Sequence, residues 1–93
     1  MGIRESLDKA EALSRDILAA ATRDDWDTAI QREMERSPLI AALKNQPLSV
    51  TMTRQELLSA LERIDDINRQ TAHLARQRHA EIGTLLSVFD KRP

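Results

Sequence analysis

Two histidines, a cluster of aspartates and an arginine-rich stretch are the residues whose types could do chemistry, and their spacing leaves little catalysis open. His73 and His79 stand six residues apart, so on a helix they point about 120° from one another and cannot close on one metal ion. Asp24-Asp25-Trp26-Asp27 offers carboxylates, but without the sixth-position glycine or twelfth-position glutamate of a calcium loop. Helix capping accounts for it better. Asp65 and Asp66, adjacent on a helix, are turned about 100° apart and read as solvated. The only glycines are Gly2 and Gly83, which excludes a glycine-rich phosphate cradle. There is no cysteine for thiolate chemistry, and no nucleophile stands at a spacing that would give it a base. The sequence therefore predicts no enzyme, no catalytic residue, no metal and no cofactor.

Recognition is what remains. Residues 67–80 hold Arg69, Arg76, Arg78, His73 and His79 and no acid. Arg69, His73 and Arg76 recur at i, i+4 and i+7 and so share one helix face. Arginine's planar fork suits the carboxylates of an acidic partner; a solvated outer face is the competing account. Arg78 points instead toward the apolar stripe, laying its stem along it or holding its head at an interface. A net charge of −1 gives no field to draw nucleic acid, and no aromatic stands among the arginines to stack a base. No nucleic-acid partner is expected.

The elements that must carry these residues are helices. Glycine and proline total 2 and 3, tyrosine is absent, and Ala, Leu, Ile, Glu, Arg and Gln dominate. Ninety-three residues make a single domain, 1–93, that buries roughly two-thirds of its unfolded surface. Ile3, Leu7, Ala10, Ser14, Ile17, Leu18 and Ala21 recur at helical spacing in a first helix. Thr22-Arg23-Asp24-Asp25 interrupts it, with Asp24 or Asp25 placed to cap a second. Trp26, a packing anchor expected to lock the first helix onto the second, then shares a face with Ala29, Ile30, Met34, Ser37, Ile40 and Ala41, leaving Leu39 and Leu43 on a flank. Pro38 predicts a kink or a break into two short helices. Residues 45–51 read as a connecting loop, and Thr53-Arg54-Gln55-Glu56 as a capping box. From there the helical pattern runs unbroken almost to the end, with Leu57, Leu61, Ile64, Thr71, Ala75, Ile82, Leu86 and Phe89 on one drifting stripe. The fold class is all-α: an antiparallel three-helix bundle, with four helices as the alternative count, and a long C-terminal helix.

That length carries a functional meaning. At about 1.5 Å per residue the first two helices span roughly 30 Å each and the third up to about 55 Å. Leu74, Ile82, Leu85, Leu86 and Phe89 then lack cover from their own chain, and an uncovered apolar stripe wants a partner helix or a second copy. A bend at Gly83 folding the end back is the structural alternative. No apolar run reaches the roughly 20 residues of a membrane span, and Met1-Gly2-Ile3-Arg4-Glu5 lacks the apolar stretch of a signal peptide. The expected location is the cytoplasm.

Four strings together resemble the flagellar export chaperones of the FliT type. They are Asp25-Trp26-Asp27 opening the second helix, Glu35-Arg36 with Leu39-Ile40 inside it, Leu57-Leu58 with Leu61 and Ile64 opening the third, and Arg76-Gln77-Arg78 with Glu81-Ile82 in its later half. The sequence departs from the family pattern at Pro38. It also stops soon after the long helix, where longer relatives carry a further helix that screens the partner site. The resemblance implies a cytoplasmic chaperone that holds the C-terminal segment of the filament-cap protein, prevents premature assembly, and hands it to the export gate or its ATPase. Some relatives also bind the flagellar transcription regulator. The work implied is helix-in-groove packing, and the residues expected to meet the partner are Leu61, Ile64, Leu74, Arg78 and Ile82. Two other classes fit the same residues: a homodimeric helical adaptor, and a small regulator that grips a transcription factor through the arginine stripe.

Overall fold

The computed structural model describes residues 2–45 and 53–90, with side chains over 2–43 and 53–81. Within them stand three α-helices, α1 (Ile3–Thr22), α2 (Trp26–Asn45) and α3 (Arg54–Asp90). At 37 residues α3 is nearly twice the 20 of α1 and of α2, as its uninterrupted pattern predicts, and it runs through Gly83 without ending there. The side chains of Ile82, Leu85, Leu86 and Phe89 and the expected loop beyond Asn45 lie outside the described residues. Among the described residues no helix is long and apolar enough to cross a membrane.

The sequence stripe of α1 names one face, and the structure buries two. Ile3, Leu7, Ala10, Ser14, Ile17 and Ala21 are buried as their spacing predicts, but so are Ser6, Leu13 and Ala20. The reason is topological. α1 packs against both other helices, whereas α2 and α3 make no backbone approach to each other among the described residues. Small side chains permit it: Ala10, Ser14 and Ala20 expose nothing, and interaxial distance is set by the side chains at the contact. Arg4 meets Glu56 and Glu11 meets Arg63, so paired residues advance together along α1 and α3. Along α1 and α2 they run oppositely, from Ser14 with Arg36 to Ile17 and Ala20 with Ala29 and Trp26.

The core is correspondingly slim. One cluster joins Ile3, Leu7 and Ala10 of α1 to Ala60 and Ile64 of α3, with Ile40, Leu43 and Leu57 packed against it. A second joins Ile17, Ala20 and Ala29, with half-buried Trp26 against them. Trp26 therefore does anchor α1 to α2 as expected, from the rim of the core.

Residues 22–25 form a tighter turn than the sequence alone suggests. Asp25 N–H donates to the Ala20 carbonyl (2.8 Å) and Asp24 N–H to that of Ala21 (3.0 Å), the paired bonds of a Schellman motif. Asp24, at the position that usually takes glycine, has φ 61°, a left-handed conformation that aspartate tolerates better than most residues. Asp25 is the cap of α2: its Oδ1 accepts from Thr28 N–H at 3.2 Å. That bond, with Arg23 nearby, holds the Asp25 carboxyl below its usual range. At α3 the threonine half of the capping box forms, Glu56 N–H donating to Thr53 Oγ1 at 3.1 Å, and Glu56 Oε2 is engaged by Arg4.

Two expectations for α2 are corrected. Pro38 lies inside one continuous helix and divides nothing. Met34, whose carbonyl Pro38 leaves without a donor, and Pro38 itself are both exposed, so water can serve the freed group and the lost bond is tolerated. The packed face also differs. Ile30 and Met34, assigned inward by spacing, are 58% and 71% exposed, whereas Arg32, Arg36, Leu39, Ile40 and Leu43 are half-buried. Counting apolar residues cannot foresee this, because an arginine occupies the inner face.

Candidate functional site

Arg36 explains both the rotation of α2 and the opening beside it. Its Nη1 donates to Ser14 Oγ of α1 at 2.9 Å and to Asn68 Oδ1 of α3, and its Nη2 to Glu33. Ser14 is satisfied in turn by donating to the Ala10 carbonyl at 2.8 Å. One guanidinium thus ties all three helices together, with its side chain only 14% exposed. A long stem and a wide fork standing between α2 and α3 keep the two helices apart, where an apolar side chain would let them close.

The space so held is a groove of about 540 Å³, walled by Glu33, Arg36, Ser37, Ile40 and Ala41 of α2 and by Leu61, Ile64, Asp65 and Asn68 of α3. Its lips are apolar. Ile30, Met34, Ser37 and Ala41 follow one another at i, i+4, i+7 and i+11, which places the first two on the same face of α2 as the last two. Leu58 stands one turn before Leu61 on α3. Ile30, Met34, Leu58 and Leu61 are the exposed large hydrophobics of the described residues, and all four rim this one groove. The site has no geometry for bond-making. It can receive an amphipathic helix, which would lie against α2 and α3 as a fourth member of the bundle.

At the other end of the bundle a second constellation gathers on Asp24. The indole Nε1 of Trp26 donates to Asp24 Oδ1 at 2.7 Å, and Arg78 Nε lies 3.6 Å from the same oxygen. Trp26, Ala75, Arg78 and His79 line a small notch of about 170 Å³ there. Between the two ends, Glu11 of α1 accepts from Arg63 Nε at 2.8 Å and Arg15 Nη2 at 3.0 Å. The Arg63 bond first, then Arg15, holds the Glu11 carboxyl below its usual range.

The residues expected to meet a partner do not share one surface. Leu61 is exposed on the groove lip, while Ile64 is 4% exposed and belongs to the core, forming groove floor. Leu74 is half-buried on another face, in a hollow with Leu18, Thr22, Arg69, Gln70 and His73. Arg78 pairs with Asp24 and Glu81, and the side chain of Ile82 lies outside the described residues. Ile30, Met34 and Ala41, which the sequence reading placed inward on α2, turn out to form the groove's other wall and lip. The signal that could have found them is Arg36, since an arginine at i+2 from Met34 cannot share its direction on a helix.

A family model described as "Flagellar protein FliT" matches residues 4–93, nearly the whole chain. No curated protein and no solved structure matches.

Proposed function

The chain belongs to the FliT family of flagellar proteins, and from that premise we propose that it is a cytoplasmic export chaperone whose α2–α3 groove holds the C-terminal segment of the filament-cap protein as an amphipathic helix. The antiparallel, up-down-up course that the residue pairings support leaves a fourth helix position vacant, and the client fills it. Kept there, the client cannot assemble before export, and it can be passed to the export gate or its ATPase. The role needs no catalysis, in keeping with a family of chaperones.

The observation that carries this reading is the convergence of four exposed large hydrophobics on one groove. Full burial of such a side chain is worth about 1.5–3 kcal/mol, so covering the exposed part of each contributes on the order of 1 kcal/mol. Micromolar binding needs about −8 kcal/mol. The remainder must come from Ile40, Ala41 and polar contacts along the walls. Of the expected contact residues, Leu61 meets the client directly and Ile64 supports it from below. Leu74, Arg78 and Ile82 lie on α3 beyond the groove, and the length of the bound segment decides whether they join it.

The test is titration of a labelled cap-protein C-terminal peptide into the full chain, followed by fluorescence anisotropy, with Leu61→Asp and Met34→Asp as variants. Both sites are exposed, so the variants should keep their helical circular dichroism and lose binding by about tenfold or more. If both remain folded and bind like the parent, the groove is not the site. A second copy of the chain in the groove is the competing outcome, and sedimentation would reveal it as a dimer that Met34→Asp dissolves.

A further inference from the structure

We propose that the α1–α3 face carries a second docking surface, independent of the groove, for an acidic amphipathic helix of another protein. Leu18 and Thr22 of α1 and Arg69, Gln70, His73 and Leu74 of α3 enclose a shallow hollow of about 450 Å³. No α2 residue lines it, and no α1 residue lines the groove, so the two surfaces open on different faces.

The hollow has an apolar floor and a cationic border, and each part specifies something about the occupant. Leu18 and Leu74, both half-buried, leave room for an aliphatic side chain inserted between the helices. Arg69, His73 and Arg76 follow at i, i+4 and i+7 along one face of α3, and all three are exposed. Arg15 stands one turn before Leu18 on α1. The acids within reach are largely engaged: Asp65 with Arg69, and Glu11 with both Arg15 and Arg63. Asp66 is the nearest other carboxylate, one turn before Gln70. Among the described residues His73 and Arg76 have no ion-pair partner. Cationic charge is therefore in excess around an apolar socket.

An occupant that satisfies both parts is a helix with leucine-like residues at i and i+4 and carboxylates flanking them, which the arginine forks can grip in pairs. Nucleic acid fits less well. A phosphate backbone offers nothing to the Leu18–Leu74 floor, and no aromatic side chain lies in the hollow to stack a base. Because the surface lies on a different face from the groove, a client and an acidic partner can be held at once.

The probe is a designed helical peptide with leucines at i and i+4 flanked by glutamates, titrated into the full-length chain with amide chemical shifts as the readout. Shifts should centre on Leu18, Thr22, His73 and Leu74. Affinity should fall by about tenfold or more in R69E/R76E, and fall again with rising ionic strength. Leu61→Asp should leave this binding unchanged. Should R69E/R76E lose helicity, R69Q/R76Q removes the same cations without reversing them. The proposal is overturned if the glutamate peptide does not bind, or if its lysine-for-glutamate counterpart binds equally well. It is also overturned if the shifts centre on Ser37 and Leu61, or if a single-stranded oligonucleotide binds more tightly than the peptide.

Discussion

Replacing Arg36 by methionine tests whether one guanidinium sets the spacing of the three helices. Methionine keeps most of the stem's packing and deletes the bonds to Ser14, Asn68 and Glu33. The Glu33 contact joins a half-exposed carboxylate and is worth about 0–1 kcal/mol. The two interhelical bonds come from a charged donor, about 1.5–3 kcal/mol each before compensation. Compensation is substantial. Ser14 still donates to the Ala10 carbonyl, and half-buried Asn68 can take water in place of the arginine. The net loss is then about 2 kcal/mol, and at about 4–8 °C per kcal/mol for a domain of this size the Tm should fall by roughly 8–16 °C. Thermal and urea unfolding by circular dichroism measure it. A double-mutant cycle with Asn68→Ala should return a coupling of about 1 kcal/mol. A Tm within about 2 °C of the parent, or a coupling of zero, would refute the reasoning and reduce Arg36 to a surface arginine whose bonds exchange freely with water.

Two further outcomes concern the turn and the acid limb. Asp24→Ala loses both a residue that tolerates the left-handed conformation and the acceptor for the Trp26 indole, costing about 1–2 kcal/mol. Asp24→Asn keeps both and should stay within about 0.5 kcal/mol of the parent; equal losses in urea melts would show that neither feature matters. Glu11, whose carboxyl Arg63 and Arg15 hold low, contributes stability that is fully present above its unfolded value of about 4.3. That contribution is lost as pH falls through the lower folded value. The stability gap between the parent and Glu11→Gln should therefore be widest near neutral pH and shrink in acid, and a gap independent of pH would contradict the assignment.

Helix number, the length of α3 and the cap at Thr53 were legible because each rests on a local signal: periodicity, absence of breakers, and hydroxyl geometry. The two-sided burial of α1 was not. Leu13 and Ala20 gain their meaning only once two different helices flank α1, and a single-stripe reading discards them. α2 misled for a related reason. Its apolar residues Ile30 and Met34 look like core by count, but the inner face belongs to Arg36, whose burial is tolerable only because Ser14 and Asn68, remote in sequence, supply acceptors. Pro38 was over-weighted, since one missing N–H on a solvent face costs less than the same loss in a core. The groove was half legible: Leu61 was read as a contact residue on α3, while the lip on α2 was assigned to the interior.

The central place of α1 also governs how the bundle comes apart. α2 and α3 are each secured chiefly through α1, so either can detach without the other, and α1 cannot be exposed until both have gone. Amide hydrogen exchange should rank the helices accordingly, slowest through Ala10, Ser14 and Ile17, with α2 exchanging as a separate, faster unit. Opening of α2 pivots on the turn at Asp24 and strains only the Arg36 tie to α3. A binding wall that can swing away while the rest of the fold stays intact offers a route for client release that needs no unfolding of the carrier.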